Sequence, residues 1–122
     1  MIIGIGTDIV EIARIEKLIA NPRFLERVFS PAEIEAIKSH AHPAQWAAGR
    51  FAAKEAAAKA LRTGIAGCPP DCVETLPGEN GAPGITLHGK ALSAMDSLGV
   101  SKLHLSISHE KEYAVATVVA ES

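Results

Sequence analysis

From about Ala44 to Leu61 the chain has a helical pattern whose packing stripe, Trp46, Gly49, Ala53, Ala56, Ala57 and Ala60, is nearly all small. A helix made only to pack carries larger apolar residues on that stripe. Ala and Gly instead let another backbone approach this helix closely. Its charges fall elsewhere. At about 100° per residue, Phe51, Glu55, Lys59 and Arg62 share one face, while Arg50 and Lys54 line the edge of the small stripe. One acid therefore stands among several cations. An i,i+4 pair of Glu55 with Lys59 on an exposed helix would contribute only about 0.2–0.5 kcal/mol.

A chain of 122 residues makes one domain, residues 1–122, with a single modest core. Aromatics are only 4%, so the interior is expected to be aliphatic, and oligomerisation would help it bury enough surface. The net charge of −2 gives no global attraction to nucleic acid, so an anionic ligand must be met by a local cluster. No run of eighteen apolar residues exists, and Met1-Ile2-Ile3-Gly4-Ile5-Gly6 lacks the features of a signal peptide. The expectation is a cytoplasmic protein with no membrane partner. Cys68 and Cys72 have no second Cys/His pair at zinc-finger spacing and are expected to be reduced loop thiols.

Ile2 to Val10, β-branched with Gly4 and Gly6, predicts a buried first strand. Ile12, Ile15, Leu18 and Ile19 predict a helix that ends at Asn21-Pro22, with a second short helical piece through Phe29. Ser30-Pro31-Ala32-Glu33 is a capping box that starts a third helix, which runs to the His40–Pro43 break. After the long helix, Val73 to Leu76 and Ile85 to His88 predict a hairpin around a Pro/Gly/Asn loop. Lys90 to Leu98 predicts a helix with Gly99 as its left-handed cap. Lys102 to Ser108 and Tyr113 to Val119 then form a strand pair across the turn at His109. One strand, several helices including one long central helix, then mostly antiparallel strands make an α+β pattern.

Asp8 stands where the first strand runs out, and together with Glu55 could hold one Mg²⁺, an ion typically bound by one or two carboxylates plus waters and substrate phosphates. On local sequence Asp8 could equally cap the first helix. Glu11 is expected one turn into that helix as a dipole-favourable surface residue. Arg50, Lys54, Lys59 and Arg62 fit a phosphate-rich ligand, although a solvated basic face has the same spacing. His109 follows Ser106-Ile107-Ser108, but without a Gly-x-Ser-x-Gly elbow a nucleophilic serine is not expected. A phosphate or adenosine contact and a turn histidine bonding backbone both remain open for it. His40, His42, His88 and His104 have no ligand-like spacing with acids and are taken as surface or packing residues.

Five segments in order carry a resemblance: Gly4-Ile5-Gly6-Thr7-Asp8-Ile9-Val10-Glu11-Ile12, Gly49-Arg50-Phe51-Ala52-Ala53-Lys54-Glu55-Ala56-Ala57-Ala58-Lys59-Ala60, Thr63-Gly64-Ile65, Asn80-Gly81-Ala82-Pro83 and Ser106-Ile107-Ser108-His109-Glu110-Lys111-Glu112-Tyr113-Ala114. Across essentially its whole length the chain resembles the holo-[acyl-carrier-protein] synthases, small phosphopantetheinyl transferases. The resemblance implies that fold, and transfer of 4′-phosphopantetheine from coenzyme A to a serine of apo acyl carrier protein, with release of adenosine 3′,5′-bisphosphate, in support of fatty acid biosynthesis. It matches Asp8 and Glu55 to Mg²⁺ ligands, Glu55 to the base for the serine proton, and Lys59 to the group that neutralises the pyrophosphate. Arg50 and His109 match the nucleotide end, and Asn80 and Pro83 the loop bordering the adenine. Arg14, Lys17, Arg23 and Arg27 match the region that docks the acidic carrier protein. The family's trimer, with active sites between subunits, is expected here too.

The chain departs from the family pattern at one point. Where Lys-Ala-x-Gly-Thr-Gly is usual, it has Lys59-Ala60-Leu61-Arg62-Thr63-Gly64, so a cation stands where a flexible glycine is expected. Arg62 is taken as a cofactor-binding residue that could add a phosphate contact or narrow the pocket. Lys54, beside the packing stripe, is taken as structural or interfacial. Two other classes are compatible with parts of the pattern, a non-catalytic coenzyme A-binding oligomer and a structural interaction module, but neither needs Asp8, Glu55 and Lys59 together.

Overall fold

The structure is a computed structural model that describes residues 1–122. Strand β1 (Ile2–Glu11) leads into helices α1 (Ile12–Ile19), α2 (Pro22–Val28), α3 (Pro31–Ser39) and the long α4 (Pro43–Ala60). A short α5 (Gly64–Gly67), a 3₁₀ turn (Pro70–Cys72), β2 (Val73–Glu74) and β3 (Thr86–Leu87) follow. The chain closes with α6 (Gly89–Ser97), β4 (Lys102–His109) and β5 (Tyr113–Glu121).

The small stripe of α4 lies across one face of an antiparallel sheet of order β1-β5-β4. At Gly4 an added Cβ would stand 2.0 Å from the Ala60 carbonyl oxygen, and at Gly6 2.0 Å from that of Ala56. Only main chain fits between strand and helix there, which is why Ala on α4 meets Gly on β1. On β5 the inward residues Ala114, Ala116, Val118 and Ala120 are likewise small or medium and fully buried. The buried surface of α4 is wider than one stripe, because Ala47, Ala48, Ala52 and Ala58 are buried too, covered by α1, α3 and α5.

Burial of β1 is one-sided, which corrects the expectation of a wholly buried first strand. Gly4, Gly6 and Val10 face α4, whereas Ile5 and Ile9 point out of the opposite sheet face at 62% and 65% exposure. The strand also continues to Glu11, which becomes the cap position of α1 rather than a residue one turn inside it. Its side chain makes no capping bond, and neither does Asp8, which lies within the strand.

The capping box at α3 forms as the sequence predicts, with Ser30 Oγ accepting from Glu33 N–H and Glu33 Oε1 accepting from Ser30 N–H. The hairpin between Val73 and His88 contains two paired residues per strand and one isolated bridge between Pro77 and Pro83. Its Pro77–Gly84 loop is held instead by its own backbone, Gly78 to Ala82 and Gly84 to Leu76. Cys68 and Cys72 are free thiols, and burial pushes Cys68 up to about 11, as suits an unreactive core group.

Candidate active site

The register of the sheet arranges the charged residues of α4 into two groups. Asp8 of β1 and Ile107 of β4 both pair with Ala116 of β5, so the three residues form one row across the sheet. Two strand spacings, roughly 10 Å, separate the ends of that row. The Asp8 end meets Glu55 and Lys59, and the Ile107 end meets Gly49 and Arg50. Five residues of helix turn Glu55 about 140° away from Arg50, so the two groups occupy opposite flanks of α4.

At the β1 flank, Lys59 Nζ donates to the Thr7 carbonyl at 2.8 Å and to Asp8 Oδ1 at 3.2 Å. Glu55 is half-buried, and burial pushes its carboxyl above the ordinary value, with Asp8 adding in the same direction while Lys59 and Arg14 oppose. No donor bonds this carboxylate. Two acids thus face each other with incomplete compensation, an arrangement that a divalent cation would relieve. No three or more His, Cys, Asp or Glu are grouped so that they could hold a metal ion between them. A two-carboxylate site suits Mg²⁺, which keeps several waters and takes further oxygens from a phosphate substrate.

At the β4 flank a cleft of about 180 Å³ is lined by His40, Trp46, Arg50, Pro83, Ile107 and His109, among others. The Arg50 guanidinium stacks 4.6 Å from the Trp46 ring centroid. Its Nη1 is buried without an acceptor, and burial pulls the group below its ordinary value against the opposing charge of Glu33. A buried donor without a partner costs free energy unless a ligand supplies the acceptor. The cationic wall that Arg50 gives the cleft suits an anionic or carbonyl-rich ligand.

The structure therefore brings together Asp8, Glu55 and Lys59, and separately Arg50, Pro83 and His109. Asn80 stands apart from the cleft, exposed, with Oδ1 accepting from Ala82 N–H within its own loop. Arg62 is exposed just past the end of α4, at φ +59°. Arg14 and Lys17 on α1, and Arg23 and Arg27 on α2, are all exposed, and Arg14 is close enough to act on Glu55. Sequence reasoning missed His40, which the β4-flank cleft includes, and Glu33, which bonds Lys54 at 2.8 Å inside the core. The i,i+4 spacing of Trp46 and Arg50 was a usable signal for their stacking. No local signal announced Glu33, because its capping role already accounted for it.

The 4′-phosphopantetheinyl transferase superfamily profile matches residues 4–118. The chain is 49% identical to the holo-[acyl-carrier-protein] synthase of Desulfovibrio desulfuricans, over 100% of this chain and 99% of that one. It is similar in structure to the holo-[acyl-carrier-protein] synthase of Neisseria meningitidis, with a TM-score of 0.91 and 35% identity over 100% of both chains. The Bacillus anthracis synthase, solved in complex with CoA (3′,5′-ADP), gives a TM-score of 0.83 and 39% identity over 100% of this chain and 98% of that one. With a fold and a length that coincide with theirs from end to end, the chain belongs to the holo-[acyl-carrier-protein] synthase family of 4′-phosphopantetheinyl transferases.

Proposed function

We propose that this protein transfers 4′-phosphopantetheine from coenzyme A to a serine hydroxyl of apo acyl carrier protein in a Mg²⁺-dependent reaction, releasing adenosine 3′,5′-bisphosphate. The observation that carries the reading is the incompletely compensated pair Asp8 and Glu55 beside Lys59, in a chain similar over its full length to a synthase solved with coenzyme A. Asp8 and Glu55 would hold the ion. When bound, Mg²⁺ supplies charge stabilisation and orientation at the pyrophosphate.

The remaining steps fall to the side chains. Glu55, directly or through an ordered water, takes the proton from the serine Oγ as that oxygen bonds to the β-phosphorus. The phosphoanhydride bond breaks, and its electron pair leaves on adenosine 3′,5′-bisphosphate. Lys59, exposed and anchored on Thr7 and Asp8, neutralises the charge that develops on the leaving group. Arg50 and His109 receive the nucleotide end, Pro83 borders the adenine from a loop that Asn80 holds through Ala82 N–H, and Arg62 is available to a phosphate.

Arg14, Lys17, Arg23 and Arg27 form the docking surface for an acidic carrier protein, and their exposure makes encounter dependent on salt. The outward Ile5 and Ile9 support a homotrimer built through the open sheet face. Active sites shared between subunits would complete two half-sites that one chain keeps on opposite flanks of α4. Cytoplasmic action in fatty acid biosynthesis is part of the same reading, and no helix is long and apolar enough to cross a membrane.

Apo acyl carrier protein incubated with this protein, coenzyme A and Mg²⁺ should gain the mass of one phosphopantetheine. A folded carrier that stays unmodified with the metal present would overturn the proposal, and transfer undiminished without the metal would remove its Mg²⁺ dependence.

A further inference from the structure

Lys54 precedes Glu55 in the chain, yet its ammonium points the other way, into the core, at 2% exposure. It donates to Glu33 Oε1 at 2.8 Å, to the Pro70 carbonyl at 3.0 Å and to the Val73 carbonyl. Glu33, with 0% exposure, accepts from Ser30 N–H and Lys54 on Oε1, and from Thr75 N–H and Thr75 Oγ1 on Oε2, both at 2.8–2.9 Å. The two charges are saturated with hydrogen bonds, which is the condition for keeping an ion pair in a core. Three of the groups they bind, Pro70, Val73 and Thr75, belong to one segment on the approach to the Pro77–Gly84 loop.

That segment has no other side-chain hydrogen bond to α3 or α4. The loop it carries delivers Pro83 to the cleft that also contains Arg50 and His109. Two paired residues per strand, the His88 N–H bond to the Cys72 carbonyl and one isolated bridge between Pro77 and Pro83 hold the hairpin, and the loop is bonded mainly to itself. Its placement over the cleft therefore depends on how its stem is fixed. The charge of Glu33 also acts at a distance on Arg50, one turn before Lys54 on the same helix, while its oxygens bond the stem at Thr75.

We propose that Glu33 and Lys54 are positioning residues for the nucleotide end of the reaction, pinning the stem at Pro70–Thr75 so that Pro83 closes the cleft against Arg50. The pair touches no substrate and works through the loop and the guanidinium. This assignment rests on the cleft being the nucleotide site of the transferase.

The test titrates adenosine 3′,5′-bisphosphate into the full-length protein by calorimetry, beside steady-state transfer with coenzyme A. Wild-type protein that fails to bind this probe removes the nucleotide reading of the cleft, and the positioning role with it. Given wild-type binding, Lys54→Met should weaken the probe by about tenfold or more, since displacement of about 1 Å at a binding wall costs factors of that size. KM for coenzyme A should rise while kcat at saturation changes less, because Asp8, Glu55 and Lys59 are untouched. A role confined to stability would lower the melting temperature without moving KM. Folded Lys54→Met protein with wild-type affinity overturns the proposal.

Where Lys54→Met does not fold, Thr75→Val decides. It removes one donor from Glu33 and leaves the ion pair, and should weaken the probe about threefold, the scale of one hydrogen bond. Thr75→Ser, which keeps the hydroxyl, should restore the affinity. Unchanged affinity in Thr75→Val sinks the idea.

Discussion

Lys54 and Glu55 are adjacent, yet the charge pairs they join have opposite characters. Lys54 with Glu33 is dry and satisfied, the carboxylate taking four donors and the ammonium reaching three acceptors. Glu55 with Lys59 and Asp8 is half-open and sparsely bonded, and burial, with the like charge of Asp8 adding to it, pushes its carboxyl upward. In the first pair the protein supplies every partner and the charges become structure. In the second, places are left for a ligand, at some cost in stability until one arrives.

The largest effect should come from breaking the open pair. Glu55→Gln keeps the shape and removes the charge, so phosphopantetheine transfer should fall by about 10³-fold, within the range for loss of a positioned base. The oligomer should persist, because no hydrogen bond to the carboxylate is lost. Carrier-protein mass spectrometry and sedimentation measure the two outcomes, and near wild-type turnover would remove Glu55 from the mechanism.

Breaking the closed pair should act on stability and nucleotide affinity rather than on the chemical step. Lys54→Met alone leaves Glu33 as a buried charge without its counter-ion, and should cost about 3–5 kcal/mol. Adding Glu33→Gln removes that uncompensated charge and should recover part of the loss. Urea unfolding of the two variants checks this, and a double variant less stable than Lys54→Met would show that the neighbours of Glu33 matter more than its charge. Both folded variants should still carry an intact Asp8, Glu55 and Lys59 group.

The open pair also predicts a pH dependence with a definite sign. Glu55 binds its proton more tightly in the folded state than at its ordinary value of 4.5, so the folded state holds the extra proton in the window above 4.5. Metal-free stability should therefore decline relative to Glu55→Gln as pH rises through that window, then stay at a constant deficit. Saturating Mg²⁺ should reverse the sign, because the cation favours the ionised carboxylate. Denaturation at several pH values, with and without the metal, measures both. A difference between wild type and Glu55→Gln that is flat in pH would remove the strain argument.

Much of this contrast was legible in the sequence and part was not. The Ala/Gly stripe showed that a backbone can approach closely, because steric fit depends on residue size, and only the fold shows that Gly4 and Gly6 are what approaches. The capping box was equally local and formed as written. Asp8 and Glu55 were paired from their positions at a strand end and on a helix face, and the resemblance strengthened that pairing. The second role of Glu33 was hidden, since its partners Lys54 and Thr75 lie 21 and 42 residues away and only the tertiary fold assembles them. The outward face of β1 was hidden for a related reason. Ile5 and Ile9 look like core residues in any pattern, and only the sheet's single covered face shows which side they take.

The smallest effect concerns Arg62, where the resemblance led to the expectation of a flexible glycine. Thr63 N–H bonds the Ala58 carbonyl and Arg62 N–H that of Lys59, the paired bonds of a helix terminus that requires a left-handed residue. Arg62 takes that conformation at φ +59°, which glycine adopts freely and a residue with a Cβ only at a cost. Arg62→Gly should therefore stabilise the protein by about 1 kcal/mol, read as a higher melting temperature. If the guanidinium meets a coenzyme A phosphate, the same variant should raise KM for coenzyme A. A variant that is more stable with KM unchanged would place Arg62 outside the open site, as a strained helix end that the ligand does not use.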